Sequence, residues 1–302
     1  MVATNKNLRT RRSLTGAELE ASSVLVTALE KRFRTFCARR QDLSRRRTPE
    51  TIHDLRVATR RLIAVIDVVN PIVESEQLRR SRRRLKRLLS SMNALRDSEI
   101  LRRDLTPLAR RFRALSPLLT GIRRTQRDLL STASAGSSRI DLAELENSLA
   151  FAISALGTTL TQPGGREAMA TLVRAGYASA YLRFVHDLSR IAVRNPDSFH
   201  RLRVGLKRLR YTCEVLRPLQ IGPQRAEIRN MATLQTVLGD LQDLMVLQRA
   251  IQGYASNDAR DPGGSLIQVF RLLDMRKSKA ISEALLAIRG THQGLPMDFP
   301  AF

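Results

Sequence analysis

Hydrophobic residues recur every three to four positions along nearly the whole chain, and alternating runs rich in Val, Ile, Thr and aromatic residues are missing. This spacing is typical of amphipathic helices and predicts an all-α protein. Pro- and Gly-containing segments separate the helices, and the small polar residues at 131–138 are expected to form a linker. Helices are predicted over about residues 15–46, 49–70, 75–91, 94–114, 117–132, 141–159, 166–193, 198–217, 223–253 and 264–289.

Two helix starts carry recognisable signals. Thr15 and Glu18 have the spacing of a capping box and are expected to begin the first helix. Thr48 precedes Pro49, which is the arrangement of an N-cap followed by proline at the first helical position. The second helix is expected to end near Asn70 and the proline that follows it.

An internal duplication is the most informative feature of the sequence. Residues 53–62 read HDLRVATRRL and residues 200–209 read HRLRVGLKRL, so seven of the ten positions are identical or exchange Arg for Lys. Farther on, LLSSMNALRD (88–97) aligns with LQTVLGDLQD (234–243) at almost the same offset. The chain is therefore predicted to contain two copies of one helical module, at 1–135 and 136–302.

The repeated motifs place basic residues on one helix face. At about 100° per residue, His53, Arg56 and Arg60 lie within about 60° of one another, opposite an apolar stripe of leucine, isoleucine and valine. A second basic stripe is expected on the helix after each motif. The candidate binding residues are His53, Arg56, Arg60, Arg61, Arg79, Arg82, Arg83 and Lys86 in the first copy, and His200, Arg203, Lys207, Arg208, Arg225 and Arg229 in the second.

The charge indicates a polyanionic partner. Lys and Arg number 52 against 28 Asp and Glu, a formal net charge of +24, while 43% of the residues are hydrophobic. Such a protein is too apolar to be a disordered basic tail, so the charge belongs to a folded surface. A basic helix face can be merely solvated, but these faces hold few acids to balance them, and the same positions recur in both copies. A bound anion explains both observations better.

Several classes of protein are not expected. The cysteines, Cys37 and Cys213, are far apart and indicate neither a disulfide framework nor a zinc ribbon. No secretory signal or membrane-spanning stretch is evident, so a cytoplasmic protein without integral membrane contact is expected, although the Arg-rich residues 1–12 could attach weakly to anionic lipid. Phosphate-loop, dinucleotide-binding and hydrolase signatures are missing, so no catalytic residue and no cofactor are predicted.

The histidines and two aspartates allow more than one role. His53 and His200 begin matching stripes and could donate hydrogen bonds to phosphate; structural roles and metal binding are the alternatives, and no metal-ligand spacing supports the latter. Asp97 and Asp243 are acids in basic surroundings, where orienting an arginine is the simplest role and general-base catalysis is the alternative.

The paired HxLRVxx[RK]RL motifs, each followed by an Arg-bearing helix and a segment ending in Asp, resemble the CHAD family, the conserved histidine α-helical domains. The resemblance covers about residues 15–290, in the stand-alone form, since the ExExK strand of the CYTH domain is missing. It implies two pseudo-symmetric four-helix bundles around a basic central channel, binding of inorganic polyphosphate and association with polyphosphate granules.

The function expected from the sequence is therefore non-catalytic binding of inorganic polyphosphate. Guanidinium forks suit a linear chain of phosphates that has no base edges to read. Binding of a nucleic-acid duplex through its backbone is the main alternative, and weak non-specific contact with nucleic acid is compatible with either interpretation. The aromatic content of only 4% and the lack of Trp argue against nucleic-acid binding, because they leave few platforms for stacked bases. An enzyme acting on phosphate is a second alternative. The oligomeric state is left open.

Overall fold

The computed structural model describes residues 6–223, 225–257 and 265–294. The described part is all-α, which confirms the predicted fold class. Its helices are α1 (Lys6–Arg45), α2 (Pro49–Val73), α3 (Glu76–Ser91), α4 (Asn93–Arg111), α5 (Ser116–Ser138), α6 (Leu142–Thr161), α7 (Gly165–Ser189), α8 (Pro196–Leu216), α9 (Arg225–Asn257) and α10 (Ser265–Gly294). None of the helices in these ranges is long and apolar enough to cross a membrane.

The second helix begins as its sequence predicts. Thr48 Oγ1 accepts a hydrogen bond from the Thr51 backbone N–H (3.3 Å), and Thr51 Oγ1 accepts one from the Thr48 N–H (3.2 Å). This reciprocal capping box satisfies donors that a helix start otherwise leaves unpaired. Pro49 occupies the first helical turn, where its missing N–H costs nothing. The start of the first motif helix is thus fixed by local chemistry.

Three sequence-based boundaries are wrong. Residues 131–138 are not a linker but the last two turns of α5. The first helix begins at Lys6, so Thr15 lies within it and not at its start. The second helix continues through Pro71 to Val73 and ends at Glu74, whose φ of 46° is left-handed. The break predicted at 261–264 and the first residues of the segment 1–12 lie outside the described part of the chain.

The apolar faces of the motif helices pack as predicted. Leu55, Leu62, Ile66 and Val69 of α2 are fully buried, as are Leu202, Leu209 and Leu216 of α8. Leu85, Leu88, Met92 and Leu95 are at most 3% exposed. Burial of this apolar area is the main stabilising contribution to the fold, at about 25 cal/mol per Å².

The buried apolar residues of the described chain form three cores. The first lies among α1, α2, α3 and α6, with the adjoining ends of α5, α7 and α8. The second lies among α7, α8, α9 and α10, and the third joins α4 and the start of α5 to α9 and α10. The first core includes α6, and the third combines helices from both sides of residue 135. The division at residue 135 stays a prediction about the sequence repeat.

Candidate functional site

The two copies of the motif meet in the folded chain. Helix α2, which carries the first motif, packs against α8, which carries the second. The side chains interact across this contact, since the charge of Arg60 lowers the pKa of both Arg203 and Lys207, after the larger effect of burial. Residues that are about 147 positions apart in the sequence therefore form one basic cluster. We call Arg56, Arg60, Arg96, Arg203 and Lys207 the inter-repeat cluster.

The inter-repeat cluster is withdrawn from solvent. Arg56 is only 7% exposed, and Arg60, Arg203 and Lys207 are half-buried. Burial first, and then the charges of Arg60 and Arg96, lower the pKa of Arg56 to about 10. Burial, followed by neighbouring arginines, lowers the pKa of Lys207 to about 7. Like charges held together in a site of low dielectric constant destabilise the free protein and favour a bound anion. For Arg56, this burial contradicts the interpretation of the stripe as a merely solvated face.

Two equivalent arginines have unused hydrogen-bond donors. The Nε atoms of Arg56 and Arg203 are buried and have no hydrogen-bond partner among the described residues. The Nε of Arg61 is in the same condition. Buried polar groups nearly always have a partner, so these donors are completed by a ligand or by water. Arg203 lies over Gly239, and a Cβ added there would make ordinary contact with the Arg203 Nε at 3.7 Å.

Carboxylates offset part of this positive charge. Nη2 of Arg103, from α4, lies 3.4 Å from Oδ2 of Asp243 in α9, so the ion pair joins the two repeats. Burial raises the pKa of Asp243, while Arg203 and Arg103 act in the opposite direction. Asp97 in α4 acts on Arg56 and, across the repeat contact, on Arg203. Both aspartates therefore lie where they can orient and partly neutralise arginines.

Arg96 belongs to the cluster, although it was not among the predicted site residues. Its charge acts on His53, Arg56, Arg60 and Arg203. Arg96 follows the helix break at Met92, so it falls outside the stripe spacing of α3. Arg96 directly precedes Asp97 at the end of the repeated segment 88–97, and this position in the sequence could have identified it as a site residue. The phenol of Tyr211, near Arg60, is a second neighbour that the repeat did not indicate.

The two motif histidines have different surroundings. His200 Nδ1 lies 3.0 Å from Gln242 Oε1, on α9. Burial, then Arg96 and Arg56, lower the pKa of His53. Both rings are exposed enough to reach a ligand. No group of three or more His, Cys, Asp or Glu residues in the described part of the chain is arranged to hold a metal ion.

The basic stripe of α3 is better balanced than the sequence suggested. Arg83 Nη2 lies 2.7 Å from Glu76 Oε1, and Arg79 Nε lies 3.4 Å from Glu76 Oε2. Arg82 pairs with Asp67 and ties α3 to α2. Part of the α3 stripe is therefore paired, although one carboxylate, Glu76, serves both Arg79 and Arg83. The remaining predicted cations are exposed and form no ion pair within the described residues: Lys86, Arg208, Arg225 and Arg229.

Comparison with known proteins identifies the family. The family model of the CHAD domain matches residues 27–252, which is most of the chain. The chain belongs to the CHAD family. The resemblance read from the repeated motifs is thus confirmed, and the inter-repeat cluster lies on the motif helices of a CHAD domain. A comparison with curated protein sequences gives no significant match.

Two solved structures have a similar fold to this CHAD chain. The crystal structure of the CHAD domain from the plant Ricinus communis superposes with a TM-score of 0.65 at 18% identity, over 91% of this chain and 92% of that one. PptA from Streptomyces chartreusis superposes with a TM-score of 0.54 at 16% identity, over 90% of this chain and 99% of that one. At these identities the similarity establishes the fold alone.

Proposed function

We propose that this CHAD protein binds inorganic polyphosphate and does not cleave it. The observation that carries the proposal is the inter-repeat cluster, in which buried Arg56 and Arg203 have no hydrogen-bond partner for Nε among the described residues. Polyphosphate supplies acceptor oxygens along its whole length, and each guanidinium can bind two of them. A phosphate chain in this position would complete the donors and relieve the repulsion between the cations.

The burial of the cluster favours a thin polymer over a duplex. Arg56 is 7% exposed, and its neighbours Arg60 and Arg203 are half-buried between helices. The phosphates of a rigid duplex lie on the outside of a wide cylinder and reach exposed cations most easily. A single phosphate chain has no bases or sugars, so it can approach half-buried cations on α2 and α8 more closely than a duplex can. Exposed cations such as Arg225 and Arg229 would then contact the chain at the margins.

The surroundings of the aspartates support binding without catalysis. Asp243 is held by Arg103 at 3.4 Å, and both Asp97 and Asp243 act on the arginines of the cluster. A general base needs an unoccupied acceptor directed at the attacking water, and the pairing of Asp243 with Arg103 opposes that role for Asp243. Release of orthophosphate from polyphosphate, measured with and without Mg²⁺, should be no faster with the protein than without it. Release that is lost in Asp243→Asn would establish an enzyme instead.

The binding site is tested by the double variant Arg56→Ala/Arg60→Ala. Each charge-assisted hydrogen bond contributes about 1.5–3 kcal/mol, so polyphosphate affinity at fixed salt should fall roughly tenfold or more. The matched control is Arg123→Ala/Arg124→Ala, which removes the same charge from an exposed part of α5. An equal loss of polyphosphate affinity in the two double variants would indicate that only net charge matters. Unchanged affinity in Arg56→Ala/Arg60→Ala would exclude the cluster as the binding site.

We further propose that the protein associates with polyphosphate granules in the cytoplasm. The family resemblance and the net charge of +24 support this location. A fluorescent fusion should colocalise with stained granules, whereas a fusion of Arg56→Ala/Arg60→Ala should be diffuse. Diffuse fluorescence of the unmodified chain in granule-containing cells would contradict the proposal.

A further inference from the structure

A second basic site lies away from the inter-repeat cluster, in a cavity of about 1000 Å³. It is bounded by the end of α1, the last turns of α5 and the start of α6, and none of its lining residues belongs to the cluster. Its size is at the upper end of the range usual for small-molecule sites. Binding of polyphosphate at the inter-repeat cluster would not involve this cavity.

The cavity results from the small side chains at the end of α5. Gly136 lets α5 approach α3 closely, since a Cβ at this position would lie 2.5 Å from Ser91 Oγ. Ser131, Ser134 and Ala135 are too small to fill the space next to α1. The segment with linker-like composition thus forms one wall of a polar cavity.

The lining carries positive charge and hydroxyl groups but no carboxylate. Arg40 donates from Nε to the Ser137 carbonyl oxygen at 3.0 Å and so caps α5. Arg47 and Arg139 are exposed, and neither forms an ion pair within the described ranges. Cations without a counter-charge next to serine hydroxyls form a lining that suits phosphate oxygens.

Ser134 is a second and independent sign of a ligand. The residue is only 8% exposed and lines the cavity. Its Oγ is buried and has no hydrogen-bond partner among the described residues. A buried hydroxyl of this kind is unfavourable unless a ligand or a water molecule completes it.

We propose that this cavity binds a phosphate-bearing anion, held by Arg47, Arg139 and the hydroxyl of Ser134, and pyrophosphate is a small probe of this chemistry. The anion is either a free small phosphate compound or the end of a phosphate polymer, since the terminal groups of both have the same chemistry. The site is separate from the inter-repeat cluster and does not depend on its function.

Cys37 provides a local reporter, because it lines the cavity and is half-buried, whereas Cys213 is 1% exposed. Pyrophosphate should slow alkylation of Cys37 in the full-length protein. Arg47→Ala/Arg139→Ala should raise the protecting concentration about tenfold or more, and Arg123→Ala/Arg124→Ala should leave it unchanged. Protection must persist in Arg56→Ala/Arg60→Ala, which distinguishes this site from the polyphosphate site. No protection, protection unaffected by Arg47→Ala/Arg139→Ala, or protection lost in Arg56→Ala/Arg60→Ala would each overturn the proposal.

The variant Ser134→Ala separates a ligand contact from a structural role. Removing an unsatisfied buried hydroxyl should leave the melting temperature of the free protein unchanged or raise it, while weakening protection by pyrophosphate severalfold. Equal protection in Ser134→Ala would show that the hydroxyl does not contact the anion. Long-chain polyphosphate should then be compared with pyrophosphate at an equal concentration of terminal phosphates. Equal protection of Cys37 would indicate that the site binds the ends of polymer chains. Weaker protection by the polymer would indicate that the site binds a free small anion.

Discussion

His200 Nδ1 lies 3.0 Å from Gln242 Oε1, and the equivalent positions in the first repeat hold His53 and Arg96. The neutral Gln242 beside His200 thus corresponds to the cation Arg96 beside His53. Arg96 adds charge to the inter-repeat cluster on the side of the first repeat and lowers the pKa of His53, after the larger effect of burial. The site is built by a repeat but is electrostatically asymmetric.

Arg96→Gln should make the first repeat resemble the second. Because a neighbouring cation disfavours protonation, its removal should raise the pKa of His53, and loss of one phosphate contact should weaken polyphosphate binding severalfold. The histidine signal can be followed by NMR between about pH 5 and pH 8, with His53→Ala for assignment. A titration of His53 that is identical in the two proteins would show that Arg96 does not act on it.

Polyphosphate binding should be accompanied by proton uptake near pH 8. Lys207 has a pKa of about 7 in the free protein, so it is largely neutral there, and an adjacent phosphate favours its charged form. Calorimetry in two buffers of different ionisation enthalpy measures the protons taken up. Lys207→Arg should remove most of this uptake, because the guanidinium remains charged. Equal uptake by both proteins would locate the titrating group elsewhere.

Lys207 should also make the stability of the free protein depend on pH. Its pKa is about 7 when folded and 10.5 when unfolded, so between these values the unfolded state binds more protons. The free energy of unfolding should therefore rise as pH increases from about 7 toward 10. Denaturant unfolding at several pH values tests this, with Lys207→Met as the comparison. If the free energy of unfolding depends on pH with the same slope in Lys207→Met and in the unmodified protein, Lys207 makes no such contribution.

Arg56→Met should stabilise the free protein while weakening its binding. Replacing buried charged groups by well-packed apolar side chains is often neutral or stabilising, and Arg56 forms no ion pair within the described residues that its loss would break. The melting temperature of the variant without ligand should therefore equal or exceed that of the unmodified protein. Polyphosphate should raise the melting temperature of the variant by less than it raises that of the unmodified protein. A large loss of stability without ligand would mean that Arg56 serves the fold and not the site.

Gly136→Ala should be markedly more destabilising than Gly121→Ala on the same helix. A Cβ at Gly136 would lie 2.5 Å from Ser91 Oγ and 3.2 Å from Ser91 Cβ, whereas nothing lies within 4 Å of one at Gly121. Rotating Ser91 out of its hydrogen bond with the Leu88 carbonyl oxygen, or moving α5 away from α3, should cost about 1–3 kcal/mol. The change at Gly121 should be neutral or favourable, since alanine is the better helix former. Similar unfolding free energies for the two variants would contradict the close packing of these helices.

Local signals predicted the fold well because helix periodicity and caps depend on neighbouring residues. The N-cap at Thr48 and the buried face of α2 could be read directly. The repeat pointed to His53, Arg56, Arg60, Arg203 and Lys207, the last three of which interact across the contact between α2 and α8.

What the sequence did not show depends on tertiary contacts. Arg96 joins the cluster only because α4 packs beside α2, and Arg82 pairs with Asp67 only because α3 folds back on α2. The composition of residues 131–138 indicated a linker, but packing of α5 against α1 and α3 overrides the weak local preference.

We propose above all that the buried cluster selects a phosphate chain over other polyanions. Calorimetric titration with long-chain polyphosphate at about 150 mM salt, in the presence of duplex DNA at matched phosphate concentration, tests it most directly. Tight binding that the DNA does not displace, and that weakens in Arg56→Ala/Arg60→Ala, is the predicted result. Displacement by DNA at equal phosphate would contradict the account and show a general polyanion binder.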